Sequence, residues 1–304
     1  MTDLLSRIID GDSSALARAI TIVENQSLGY KELLNAAYPH KKENCKIGIT
    51  GPPGSGKSTL TSKIVKQYIS KDKTVGVICV DPSSSFTGGA ILGDRIRMQE
   101  VYSSKNVFIR SVATRGSLGG LSHSIVNIEP LLEAFGFDVI IYETVGVGQI
   151  ELDVANYADS VLLVLTPESG DDIQMMKAGL IECASIIAVN KSDRPSANKM
   201  KIILEQISEL SMSDWVIPVV DVIAIKNKNT DKLCQKLSDH HNFLKKNNLI
   251  SRKNDQKYID SIKDIIRENS LKKILNLTSM QIIEKELEKP IRERVSPYEM
   301  FERI

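Results

Sequence analysis

From Asn44 to Ile225 the chain alternates short apolar runs with longer amphipathic ones. The runs Lys46–Thr50, Thr74–Val80, Val107–Val112, Asp138–Tyr142, Ser160–Thr166, Ser185–Asn190 and Val216–Ile223 have strand length, and most are near-continuous Val, Ile and Leu. That is the composition of strands covered on both faces. Between them Ser58–Ser70, Leu121–Phe135, Asp171–Glu182 and Ser196–Leu210 space their apolar residues as helices do. The alternation predicts an α/β fold, with a mostly parallel sheet of about seven strands, helices on both faces and right-handed crossovers. A ligand of such a sheet sits at the C-terminal ends of the strands.

The flanks carry no strand signal. Residues 1–43 read as an N-terminal helical extension, with Leu4, Leu5 and Ile8, then Leu16, Ile20 and Val23, punctuated by Gly11-Asp12 and Ser27-Leu28-Gly29. Beyond Lys226, Tyr258, Ile259, Ile262, Ile265 and Ile266 form a helical stripe that continues through Leu271, Ile274, Leu275, Leu277 and Met280. Ser296-Pro297-Tyr298-Glu299 announces a last helix: Ser suits the N-cap, Pro the first helical position, and Glu the capping box. Three parts are expected, at 1–43, 44–225 and 226–304, with Lys226–Asp231 as the linker into the last.

Across 304 residues, 39 Lys and Arg face 38 Asp and Glu, so no global field recruits nucleic acid or an anionic membrane. The balance is uneven, with 18 basic and 12 acidic residues from Lys226 onward against 21 and 26 before it. No apolar run approaches the roughly 20 residues of a membrane span. The N-terminus lacks a basic stretch followed by an apolar one, so a cytoplasmic protein is expected. Cys45, Cys79, Cys183 and Cys234 are isolated, which argues against a disulfide framework or structural zinc and for buried small hydrophobes. His240-His241 reads as part of a solvent-exposed helix, and the charged run Lys245–Lys257 as a solvated face.

Candidate chemistry concentrates at the predicted strand ends. Gly51-Pro52-Pro53-Gly54-Ser55-Gly56-Lys57-Ser58, followed by Thr59, has the G-x-x-x-x-G-K-[ST] spacing between a strand and a helix. Glycines there turn backbone N–H groups toward phosphate oxygens, the Lys reaches the β- and γ-phosphates, and the Ser hydroxyl ligates magnesium. Asn190-Lys191-Ser192-Asp193 follows a buried strand. Its Asp can accept from both the ring N1–H and the amino group of guanine, a donor pair adenine lacks, so the nucleotide expected is GTP or GDP. Glu143 ends another strand and can hold a magnesium-bound water, with the N–H of Gly146 beyond it offered to the γ-phosphate. Asp81 and Asp94 are further carboxylates able to approach the metal.

The ordered segments GPPGSGKST, VDPSSSFTGGAILGDRIRM, RSVATRGSLGGLS, ETVGVGQIE, PESGDDIQMMKAG and NKSD resemble the MeaB/ArgK group of P-loop GTPases, of the SIMIBI class, over most of residues 4–225. The closing SPYEMFERI resembles that group's C-terminal end. The resemblance implies a GTPase chaperone of adenosylcobalamin-dependent acyl-CoA mutases of the methylmalonyl-CoA mutase type, acting as a homodimer. It implies that Ser58, Asp81, Asp94 and Glu143 surround Mg²⁺, with Lys57, Asp94 and Glu143 in the catalytic set. Gln174 and Lys177 would lie in a switch through which the mutase stimulates hydrolysis. Asn190, Lys191 and Asp193, with Ile223, Ala224 and Ile225, would form the guanine pocket.

Two departures stand out. Val222-Ile223-Ala224-Ile225 replaces the group's usual Ser-Ala, and Lys226-Asn227-Lys228-Asn229-Thr230 replaces its glycine-containing turn, although Ala224 can still offer an N–H to guanine O6. Ser117 stands where His is frequent. A nickel-delivering metallochaperone GTPase and a small-molecule kinase using Asp81 or Asp94 as base are the alternative readings. The first lacks evident His and Cys ligands near the nucleotide motifs, and the guanine motif speaks against the second.

Overall fold

The computed structural model describes residues 2–81, 101, 104–113, 121–144, 150–168, 179–209, 214–274, 277–289 and 293–303. Helices α1 (Thr2–Ile9), α2 (Ser13–Glu24) and α3 (Tyr30–Ala37) lead into β1 (Cys45–Thr50), α4 (Lys57–Ile69), β2 (Val75–Asp81) and β3 (Val107–Ala113). There follow α5 (Leu121–Phe135), β4 (Val139–Thr144), α6 (Ile150–Tyr157), β5 (Ser160–Leu165), α7 (Leu180–Cys183) and β6 (Ile186–Val189). The chain continues with α8 (Ala197–Glu209), β7 (Val219–Asp221), α9 (Thr230–Lys246), α10 (Leu249–Ile274), α11 (Leu277–Leu287) and α12 (Pro297–Arg303).

The strands form one parallel sheet in the order β3-β2-β4-β1-β5-β6-β7, each overlapping one of the predicted runs. The last is the shortest because Pro218, which has no N–H for a ladder, precedes it. Register aligns Cys79 with Glu143 and Val189 with Asp221, so the strand ends that bear the motifs share one edge. Helix α6 is an element the apolar pattern did not single out. Of the helix expected at Asp171–Glu182, only the end lies among the described residues, as α7.

Each strand sends alternate side chains to opposite faces. Val77, Cys79 and Ile141 join Ile47, Ile49 and Leu162 under α4 and α9, whereas Ile78, Val80, Ile140 and Tyr142 pack under α5, α6 and the N-terminal helices. Leu163, Leu165, Ile187 and Val189 meet Met200 and Leu204 of α8. A Cβ at Gly48 would lie 2.9 Å from that of Ala158, so the missing side chain lets α6 approach β1.

Contacts divide the chain into compact units Met1–Ile250 and Ser251–Ile304, whereas the sequence reading divides it after residues 43 and 225. The reason is burial. Leu5, Ile8, Leu16, Ile20 and Leu33 from the N-terminal helices enter the same core as the sheet, and Leu233, Cys234 and Leu237 of α9 cover its other face. Asp12 caps α2 by accepting from the N–H groups of Ser14 (2.8 Å) and Ala15 (3.1 Å). In the second unit the predicted cap of α12 is present, with Glu299 N–H donating to Ser296 Oγ at 3.2 Å. Tyr258, Ile259, Ile262, Ile265 and Ile266 on α10 are 40–59% exposed. No helix among the described residues is long and apolar enough to cross a membrane.

Two sequence expectations are corrected. His240 is buried, not on an exposed face: its Nδ1 lies 2.7 Å from Ser160 Oγ and its ring meets Trp215 edge-on at 4.8 Å. The chain periodicity of α9 turns this polar ring inward, where the hydroxyl of β5 pairs with it. Cys183 is exposed, while Cys79 and Cys234 are buried and Cys45 is half-buried. Burial pushes the Cys45 and Cys234 thiols up to about 12, which keeps them protonated and inert.

A buried ion cluster that the apolar pattern does not signal lies on the α5 side of β1. Lys46 Nζ donates to Glu129 Oε1 and, at 2.6 Å, to Glu133 Oε1, while Lys41 Nζ reaches Glu133 Oε2 at 3.0 Å. Burial alone would disfavour the Lys46 ammonium, but the two carboxylates more than offset it and its pKa is raised. Lys46→Met should therefore cost about 3–5 kcal/mol by leaving buried carboxylates uncompensated, read as a lower urea midpoint at unchanged m-value. A change under about 1 kcal/mol would show that the cluster holds without its cation.

Candidate functional site

The glycine-rich loop leaves β1 and enters α4 at Lys57. Gly51 has φ +138°, and a Cβ there would lie 2.1 Å from Val164 O of β5. Gly56 has φ +89°, and its Cβ would lie 2.4 Å from Asn190 Nδ2. Both positions are thus closed to side chains by conformation and by space. Lys57 is buried, and its ammonium curls back to donate to the carbonyls of Gly51 and Pro52, the latter at 3.1 Å. Ser55 is buried with its Oγ bonded to nothing among the described residues. A cradle walled by glycines, holding an ammonium and a spare hydroxyl, suits phosphate oxygens.

Beside it Ser58 Oγ donates to Glu143 Oε1 at 2.6 Å. Ser58 comes from the first turn of α4 and Glu143, 1% exposed, from β4 next to β1 in the sheet. A hydroxyl and a carboxylate meeting at a phosphate cradle are the hard oxygen donors that Mg²⁺ takes. Asp81 ends β2, which pairs with β4, and so belongs to the same sheet edge. Asp94, Gly146, Gln174, Lys177 and Ser117 lie outside the described residues.

Asn190 follows β6 and ties two loops together. Its Nδ2 donates to Ser55 O at 2.8 Å, and its Oδ1 accepts from Ala224 N–H at 3.1 Å. A pocket of about 200 Å³ opens there between Gly56 and Thr59 on one side, Lys191 and Asp193 on another, and Ile223–Ile225 on the third. Asp193 Oδ2 lies 3.6 Å from Lys226 Nζ. Ala224 N–H, expected to face guanine O6, is held here by Asn190 Oδ1 at the pocket wall.

The turn without glycine is accommodated by asparagines. Asn227 and Asn229 adopt φ +53° and +60°, the left-handed region that Asn tolerates best after Gly. Asn229 Nδ2 donates to Asp221 O at 2.8 Å and Oδ2 at 3.1 Å, and Lys201 Nζ reaches Asp221 Oδ1 at 3.0 Å. Partial burial works against the Asp221 carboxylate, but the hydrogen bond from Lys201 helps to pull its pKa below the ordinary value. Sequence reasoning missed Lys201, Asp221 and Asn229 as supports of the pocket. The two Asn spaced two apart, where a turn must form, were the available signal.

The family model described as methylmalonyl-CoA mutase-associated GTPase MeaB matches residues 16–279. The chain belongs to this family. A Pyrococcus abyssi protein named as a GTPase is 44% identical over 269 residues, covering 87% of this chain and 83% of that protein. The GTPase ArgK of Escherichia coli is 34% identical over 249 residues, 79% of this chain and 75% of that one. The crystal structure of an LAO/AO transport system kinase superposes with a TM-score of 0.74 at 24% identity, over 99% of this chain and 95% of that one, and supports the P-loop fold. As a MeaB-family member the chain is a GTPase.

The two glycines should fail differently. Gly51→Ala drives a methyl into the backbone of β5 and should cost about 3 kcal/mol or more of stability. Gly56→Ala meets only the Asn190 amide, so the fold should survive within about 1–2 kcal/mol while GDP affinity drops at least about tenfold. Urea unfolding and GDP titration of both variants check this, and normal affinity in Gly56→Ala would remove Asn190 from the site.

Proposed function

We propose that this MeaB-family GTPase is magnesium-dependent, hydrolyses GTP to GDP and phosphate, and serves as a chaperone of an adenosylcobalamin-dependent acyl-CoA mutase, in cofactor loading or protection. The observation that carries the nucleotide chemistry is the Ser58–Glu143 hydrogen bond beside the curled Lys57. In this reading the Lys57 ammonium exchanges the carbonyls of Gly51 and Pro52 for β- and γ-phosphate oxygens. Ser58 and Glu143, with Asp81 and Asp94, would hold Mg²⁺, which would supply charge neutralisation at the phosphates. Water attacks the γ-phosphorus in line, the bond to the bridging oxygen breaks, and GDP leaves. Lys57 and the N–H groups of Gly51–Thr59 stabilise the charge spread over the γ-phosphoryl oxygens. The Gly146 N–H reads the γ-phosphate.

The mutase link rests on the family's description as mutase-associated. Gln174 and Lys177 are the residues proposed to carry the partner's stimulation. Turnover should be slow alone and rise at least about tenfold with the cognate mutase, because no strong base for the water stands among the described site residues. Lys57→Ala should lower both rates by about a hundredfold or more. Equal rates with and without the mutase would refute a partner-gated GTPase, and near-normal turnover in Lys57→Ala would refute the phosphate site.

A homodimer is part of the same proposal. The apolar residues exposed along α10 within the second unit are the surface that pairing would cover. Light scattering at micromolar concentration should give twice the 33.7 kDa of one chain, and a single-chain mass would overturn the dimer.

A further inference from the structure

A second cleft lies at the end of the sheet where the strands begin, opposite the glycine-rich loop. It holds about 290 Å³ against Cys45 and Val139, the paired first residues of β1 and β4, with Tyr68 from the last turn of α4 and one face of α9. The α9 side is a polar stripe, since Ser238, His241, Asn242 and Lys245 follow one another at helical spacing. Core packing does not call for it, because Leu233, Cys234 and Leu237 of the same helix already cover the sheet. His241 Nδ1 is buried and bonded to nothing among the described residues. Such an atom has given up water without a replacement.

Two ammoniums share the cleft and are held differently. Lys73 Nζ donates to Asp138 Oδ1 at 2.8 Å, and Asp138 is itself fixed by the N–H and hydroxyl of Thr74 at 2.9 and 3.0 Å. Lys245 Nζ meets Glu43 Oε1 at 2.9 Å, but the Glu43 side chain is 71% exposed. An ion pair that open is worth little, so another carboxylate can take the place of Glu43 at small cost. A carboxylate at Lys245 would stand one helical turn from His241, within reach of its unpartnered ring nitrogen. Burial foremost, and the Lys245 charge with it, holds the imidazole below its ordinary pKa, against the opposing pull of Asp159 and Glu43. An incoming anion shifts that balance toward the protonated ring, which donates. Cys45 and Tyr68, the other titratable groups of the wall beside Lys73 and Asp138, stay protonated because burial pushes both up. The cleft is larger than the pocket beside Asp193, which leaves room for an organic body behind a carboxylate. We infer that this cleft binds a small organic acid, with its carboxylate between Lys245 and His241 and its apolar body against Val139 and Tyr68.

The test titrates the full chain, labelled with ¹³C,¹⁵N-histidine, with butyrate, butyramide and butylammonium, which share one body and differ in charge. Butyrate should shift the His241 imidazole signals saturably and bind at least about tenfold more tightly than either control. Its affinity should rise as pH falls: the bound anion raises the His241 pKa, so binding tightens as pH drops through the bound value and levels off below the free one. Lys245→Met should weaken butyrate about tenfold, and His241→Asn should remove the pH dependence. Excess GDP should leave the titration unchanged, because the cleft and the glycine-rich loop lie at opposite ends of the sheet. Absence of a saturable shift, equal binding of the three probes, displacement by GDP, unchanged affinity in Lys245→Met or a pH dependence that survives His241→Asn overturns the inference. If either variant does not fold, the three probes on the unaltered chain decide alone.

Discussion

One buried amide holds the candidate site in shape. Asn190 bridges Ser55 in the phosphate loop to Ala224 in the loop after β7, and its own N–H is fixed by Leu165 O at 2.7 Å. Both side-chain ends are satisfied in a buried setting, so breaking either bond would leave a desolvated polar group at a cost of about 1–3 kcal/mol. The glycine-rich loop and the loop after β7 are therefore set relative to each other. Gly56 belongs to the same constraint, since the space a Cβ would need there is the space the amide occupies.

The amide can do this because the sheet is parallel throughout. Parallel pairing with crossover helices brings every strand's C-terminal end to one edge, so Thr50, Glu143, Leu165 and Val189, far apart in sequence, deliver their following loops to one place. Glu143 illustrates the result. It is carried in by a strand that begins with three apolar residues, and it is buried to 1%, yet it meets the Ser58 hydroxyl from the first turn of α4.

The sequence made the sheet legible because strands covered on both faces must be continuously apolar, and each of the seven runs overlaps a strand. The phosphate and guanine motifs were legible because their spacing reports a backbone shape as well as a chemistry. Harder to read were residues whose role depends on what a distant element offers. His240 is polar and sits on a helix, and nothing local says that Ser160 will be waiting for it. Lys46 opens a strand as a surface lysine would, and only the packing of α5 reveals Glu129 and Glu133 around it. That Ala224 N–H meets the Asn190 amide is not written in either segment. Asp94, Gly146, Gln174 and Lys177 lie outside the described residues, so their roles stay with the proposed mechanism.

The curled Lys57 bears on how such a loop can stay folded. An ammonium buried to 8% exposure with no acceptor would cost several kcal/mol. The carbonyls of Gly51 and Pro52 remove that cost by accepting from it, and they are available because the glycine-rich turn does not spend them in a helix or strand. In the proposed mechanism phosphate binding is an exchange of acceptors for a cation already at the cradle. The gain per contact is smaller than for a new ion pair, but little ordering is left to be done, which is the condition under which fixed dipoles act on a developing charge.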